Sequence, residues 1–177
     1  MKLKGTSRLP VLIVAAAYRA AEQHLGRSVR DLWRHNAADS QTGAVGDVEV
    51  TSIDSDTVVT SYEMKDRMVT IADVDRVIEK LTTCDHRIDN YIFITTEEIP
   101  PAVEAYARSL YEISHGIEFV ILDCVGFLRH YLHLFHWLRS SFLENYQALI
   151  LAEPDSAVAQ PVKEAFLVMR QTLEVES

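Results

Sequence analysis

Cysteine is scarce in this chain of 177 residues: the two present, Cys84 and Cys124, lie in apolar stretches without CxxC spacing. That scarcity argues against a disulfide framework, and no signal-peptide pattern precedes the first helical stretch, so a cytoplasmic protein is expected. Unbroken apolar runs are also missing. The longest apolar stretch, Phe119 to Leu138, is interrupted by Asp123, Arg129, His130, His133 and His136, which a membrane span would not tolerate. A positive excess is the third absence. The formal net charge is −9, and phosphate binding is normally carried by clustered Lys and Arg. The deficit is uneven, because residues 1–90 hold twelve Lys/Arg against fourteen Asp/Glu, whereas residues 91–177 hold five against twelve. The acidity is mostly C-terminal.

What is present is enough apolar material, 48% of the residues, for one good hydrophobic core. Thr6 or Ser7 can cap a helix with Pro10 in its first turn, and Val11, Val14, Ala15, Tyr18, Ala21 and Leu25 recur at helical spacing before Gly26 ends it. A second short helix is expected over Val29 to His35, then an aperiodic loop from Asn36 to Gly46. Val48 and Val50 alternate with polar neighbours, and Thr57 to Lys65 is rich in β-branched residues. Joined by the turn Asp54-Ser55-Asp56, these two runs predict a hairpin. Val74, Val77, Ile78 and Leu81 mark an amphipathic helix from about Ile71 to Thr83. Beyond it the pattern predicts a strand at Tyr91–Thr95, a helix at Pro101–Ser114 and a strand at Glu118–Asp123. A long helix from Gly126 to Ala152 and a last one near Val162 to Leu173 follow. Strands separated by helices require a parallel part of the sheet. The expected fold is therefore an α/β sandwich with a mixed central sheet flanked by helices.

Side chains alternate along a strand, so Asp47 shares a face with Glu49, and Glu63 shares a face with Ser61 and Lys65. Hairpin pairing can bring Asp47, Glu63 and Lys65 together. Two neighbouring carboxylates repel unless a cation or proton lies between them, and a hard divalent ion such as Mg²⁺ suits an all-oxygen site. Lys65 can then stabilise negative charge growing on a phosphate and help position or deprotonate an attacking water.

The segment GDVEVTSIDSDTVVTSYEMK resembles the active-site hairpin of the PD-(D/E)xK nuclease superfamily, in which an Asp on one strand precedes an ExK or DxK on the next. The resemblance covers roughly residues 8 to 96 and is greatest to type II restriction endonucleases of the SacI kind. Gly46 stands where the pattern has Pro, and no separate strand is legible before Asp47. The resemblance implies a restriction-endonuclease-like sandwich and hydrolysis of DNA phosphodiester bonds, with Asp47, Glu63 and Lys65 as catalytic residues. It implies Mg²⁺, with Mn²⁺ as a substitute, held by Asp47 and Glu63. Members often carry a further acidic residue on the first helix, which makes Glu22 a third candidate metal ligand. Residues 1–177 are then a single nuclease domain, alone or as the catalytic module of a longer protein.

Glu49 is open between a third ligand and an exposed carboxylate on a solvated strand. His130, His133 and His136 step round their helix and have no Cys or carboxylate to complete a zinc shell, so they read as core-edge or interface residues. The stripe of Phe127, Tyr131, Leu134, Phe135, Leu138 and Phe142 reads as core or dimer contact. Cys84 and Cys124 read as buried free thiols. The expected partners are double-stranded DNA and a second copy of the chain, since two antiparallel DNA strands are most simply cut by two copies of one site. A repair or recombination nuclease, and an inactive DNA-binding or assembly module of the same fold, are the alternatives.

Overall fold

The computed structural model describes residues 6–32, 44–83 and 88–175. Helix α1 runs Leu9–Leu25, with Pro10 in its first turn and Gly26 in the left-handed conformation (φ 61°) at its C-terminal cap. Arg8, not Thr6 or Ser7, occupies the cap position, and its buried guanidinium meets Glu153 at 2.9 Å. The chain then enters a short strand, β1 (Arg27–Val29), so the helix expected from Val29 does not begin there. The rest of that expected helix after Leu32, and most of the loop, lie outside the described residues.

Strands β2 (Val48–Ser52) and β3 (Val58–Lys65) form the expected antiparallel hairpin. β1 adds antiparallel to the outer edge of β2, an element that three residues of sequence could not announce. A bulge at Val59 shifts the register between Val50 and Thr51, which turns Val58 to the opposite face from Thr60 and Tyr62. After α2 (Ile71–Thr83), β4 (Asn90–Thr95) pairs parallel with β3, and after α3 (Pro101–Ser109), β5 (Glu118–Asp123) pairs parallel with β4. The sheet order is β1-β2-β3-β4-β5, mixed as expected.

Helix α3 stops five residues short of the expected end. Leu110 N–H turns back to Ala107 O, and the loop closes through left-handed His115 and Gly116 (φ 58° and 93°). The predicted long helix is also two: α4 (Cys124–Leu134) and α5 (Arg139–Ala152), separated by a 3₁₀ turn at His136–Leu138. The break falls at Phe135 (φ −112°, ψ 51°), and Arg139 Nε satisfies the freed carbonyl of Leu132 at 3.0 Å. Helix α6 (Gln160–Val175) completes the chain.

Two layers of helix enclose the sheet. Val74 and Val77 of α2 and Val103 and Ala107 of α3 pack on Tyr91, Phe93, Phe119 and Ile121. On the other face Val11 and Val14 of α1 meet Val48, Val50, Tyr62 and Ile94, and α4, α5 and α6 extend that layer through Tyr131, Phe142, Ile150 and Val162. Fully burying a Val, Leu or Phe side chain contributes roughly 1.5–3 kcal/mol, so these two apolar faces set the strand registers. No helix among the described residues is long and apolar enough to cross a membrane.

Candidate active site

The hairpin register places Asp47 beside Glu63. Val48 pairs with Tyr62, Asp47 N–H donates to Tyr62 O at 2.7 Å, and Asp47 Oδ2 accepts from Met64 N–H at 2.7 Å. Asp47 is therefore fastened to the backbone on both sides of Glu63. Glu63 and Lys65 project from the same face of β3, and the Lys65 ammonium makes an ion pair with Glu63 Oε1. Both side chains are partly open to solvent, at 23% and 18%. The group sits where β3 and β4 end at their C-terminal edge, on the α2 side of the sheet, the customary place for a site on parallel strands.

The segment leading into Asp47 is held by groups that sequence reasoning missed. Val45 N–H donates to Glu49 Oε1 at 2.7 Å, while Val45 O accepts from the Tyr91 hydroxyl at 3.2 Å. That hydroxyl, on a fully buried ring, also bonds Glu63 Oε2, so Tyr91 links the Asp47 segment to Glu63. Glu49 is not the exposed carboxylate of a solvated strand. It is buried rather than exposed, and its second oxygen accepts from Arg30 Nη1 at 3.1 Å, so both oxygens brace the hairpin and β1. Gly46 has a steric reason. A Cβ there would lie 2.5 Å from the backbone oxygen of Tyr62 and would overlap Ser61 Oγ.

Behind Lys65 lies Asp73, whose side chain is completely buried. It forms a capping box with Thr70: Asp73 Oδ2 accepts from Thr70 N–H and Oγ1–H at 2.9 and 2.7 Å, while Asp73 N–H donates back to Thr70 Oγ1. It also accepts both Arg67 Nη atoms, at 2.7 and 2.6 Å, and Arg76 Nη2 at 2.7 Å, and its Oδ1 lies 3.9 Å from Lys65 Nζ. Arg67 above all, aided by Thr70 and Lys65, holds this carboxyl well below the usual range despite its burial. The T-x-x-D spacing before an apolar run was a readable helix-start signal; its convergence on Lys65 was not.

Glu22 is not gathered into this group. It lies half-buried on α1, one turn beyond Tyr18, whose hydroxyl meets that of Tyr62 at 2.8 Å on the opposite face of the sheet. The C-terminal end of α1 is tied to the far end of the hairpin by Ile53 N–H donating to Gly26 O, so Glu22 is displaced away from Lys65. His130, His133 and His136 are all exposed, and His136 stands edge-on to Trp137. Tyr131 and Phe142 of the aromatic stripe are buried, whereas Leu134 is exposed. Cys124 is a buried free thiol whose pKa burial, with some help from Asp123, pushes up to about 11; Cys84 lies outside the described residues.

Among the described residues no group of three or more His, Cys, Asp and Glu side chains is arranged to hold a metal ion. Asp47 and Glu63 nevertheless make an all-oxygen donor pair. Asp47 Oδ2 and Glu63 Oε2 each keep a lone pair beyond the hydrogen bond they accept here. Two carboxylates suit Mg²⁺, which keeps most of its waters and takes few protein ligands.

No curated protein is similar enough to match the chain. A family model, described as the SacI restriction endonuclease C-terminal domain, matches residues 6–97, which run from just before α1 past β4 and include the whole Asp47, Glu63 and Lys65 hairpin. With more than half its length matched, the chain belongs to the SacI restriction endonuclease C-terminal domain family.

Proposed function

We propose that this domain is the metal-dependent catalytic part of a restriction endonuclease, hydrolysing phosphodiester bonds of double-stranded DNA. The observation that carries the reading is the meeting of Asp47 with Glu63 and Lys65 across one hairpin, in the arrangement of the PD-(D/E)xK pattern. Family membership supports DNA as the substrate. Asp47 and Glu63 hold Mg²⁺, or Mn²⁺ in its place, and the ion's contribution is to neutralise charge at the phosphate. Lys65, kept between Glu63 and Asp73, presents an ammonium where negative charge grows on the phosphate. Tyr91 orients Glu63 through its hydroxyl and keeps Val45, and hence Asp47, in place. A homodimer supplies one such site to each DNA strand.

The test is nicking and linearisation of supercoiled plasmid with Mg²⁺ and with EDTA. The chain is expected to cut with Mg²⁺ only. Asp47→Ala and Glu63→Ala should each lose at least about 100-fold in rate, the order expected when several kcal/mol of charge stabilisation is withdrawn. Neither substitution opens the core, so both variants should melt as folded proteins. Wild-type cleavage by both would remove these residues from the active site.

A further inference from the structure

The Thr70–Asp73 capping box needs no arginine, yet two converge on its buried carboxylate. Arg67 reaches both oxygens, Arg76 reaches Oδ1 beside it, and Lys65 Nζ approaches that same oxygen at 3.9 Å. Lys65 already has Glu63 as its partner, so the two guanidinium groups share one carboxylate, with exposed Asp66 adding a weaker attraction to Arg67. Their side chains remain 48% and 64% exposed although their anchor has no exposure at all. Arg76 spends Nε on Ala72 O and Nη2 on Asp73, and among the described residues its Nη1 makes no hydrogen bond. A guanidinium pinned at one end with donors left facing water is preorganised for a second anion, and the planar fork of arginine matches a phosphate.

We propose that Arg67 and Arg76, anchored on Asp73, form a binding site for a backbone phosphate of DNA beside Lys65. The inference rests on the nuclease reading above and adds to it where the acidic chain grips its polyanionic substrate. The site reads charge and carries no base specificity, because a phosphate is the same at every step of the duplex. Asp73 acts as a positioning residue: its carboxylate fixes the spacing of the two arginines from Lys65 and prevents them from collapsing onto Glu63.

The experiment is fluorescence anisotropy of the whole chain with a short labelled duplex in EDTA, over about 50 to 200 mM KCl. Each phosphate contact contributes about 0.9 to the slope of log affinity against log salt. Arg76→Ala should lower the slope by about that amount, and Arg67→Ala/Arg76→Ala by about twice it, so each lost contact shrinks the affinity change across this salt range about 3- to 4-fold. Arg76→Ala leaves Asp73 its bidentate Arg67 partner and should fold normally, which keeps the test clean of stability. Arg108→Ala, which removes an exposed arginine paired with Glu104 on α3, should leave the slope unchanged. A purely structural cluster would alter melting without altering salt dependence. If the wild type binds and cuts DNA while both arginine variants keep its slope and affinity, this site is wrong and the nuclease reading stands. If the wild type neither binds the duplex nor cuts plasmid with Mg²⁺, both fall.

Discussion

Replacing Gly46 by Ala should displace Asp47 without touching a single functional group. The added methyl would lie 2.5 Å from Tyr62 O and would also overlap Ser61 Oγ. Among the described residues the serine hydroxyl has no hydrogen-bond partner, and it can swing away, but the Tyr62 carbonyl belongs to β3 and accepts from Asp47 N–H at 2.7 Å. Relief therefore comes from moving residues 46 and 47 off the strand, which stretches that bond and the one from Met64 N–H to Asp47 Oδ2. Overpacking costs about 1–3 kcal/mol, a weakened hydrogen bond about 1, and the stiffer unfolded chain returns about 0.4–1. The net is roughly 1–3.5 kcal/mol, or about 2–14 °C in melting temperature for a chain of this size. Circular dichroism melting would measure the loss of stability, and plasmid cleavage well below both midpoints would measure the displacement of Asp47. Gly26→Ala is the matched control. It meets no atom within 4 Å but sits at φ 61°, so it should cost about 1 kcal/mol through backbone strain and leave cleavage intact. A Gly46→Ala variant that melts within a degree or so of wild type and cuts at its rate would refute the reasoning.

Lys65→Ala should lose most of its turnover yet still bind the divalent cation, because an ammonium has no lone pair to donate and its removal leaves the carboxylates more negative. Calorimetric Mn²⁺ titration beside single-turnover cleavage checks this; loss of metal from the lysine variant but not from Asp47→Ala or Glu63→Ala would reverse the assigned roles. Acid should reveal Asp73. Its folded pKa is depressed, so its stabilisation is complete above the ordinary carboxylate value near ~3.9 and drains away as pH falls below it. The melting temperature of the wild type should fall more steeply than that of Asp73→Asn between about pH 5 and 3; parallel curves would mean that Asp73 is not held ionised by its arginines.

The amino-acid order by itself determined the elements whose apolar period is long enough to declare them. These were the Val11, Val14, Tyr18 stripe of α1, the alternation around Glu63, and the Val74, Val77, Ile78, Leu81 face of α2. It also determined that Asp47, Glu63 and Lys65 would meet, because the two-residue period of a strand and one hairpin turn suffice to place them. Tertiary structure decided what depends on partners distant in the chain. β1 has only three residues and exists because β2 offers it an edge; α4 and α5 part at Phe135, where Arg139 takes up the freed Leu132 carbonyl. Glu49 looked like a ligand or a solvated charge, and only the folding of Arg30 and Val45 onto it made it a buried brace. Glu22 follows the helical stripe that carries Tyr18, and the packing of α1 on the far face of the sheet set it apart from Lys65. Tyr91 and Asp73 are ordinary strand and cap residues in sequence. Their reach to Glu63 and Lys65 comes from the parallel β3–β4 pairing and the docking of α2, which are settled by burial of apolar faces across the whole sheet and not by any local pattern.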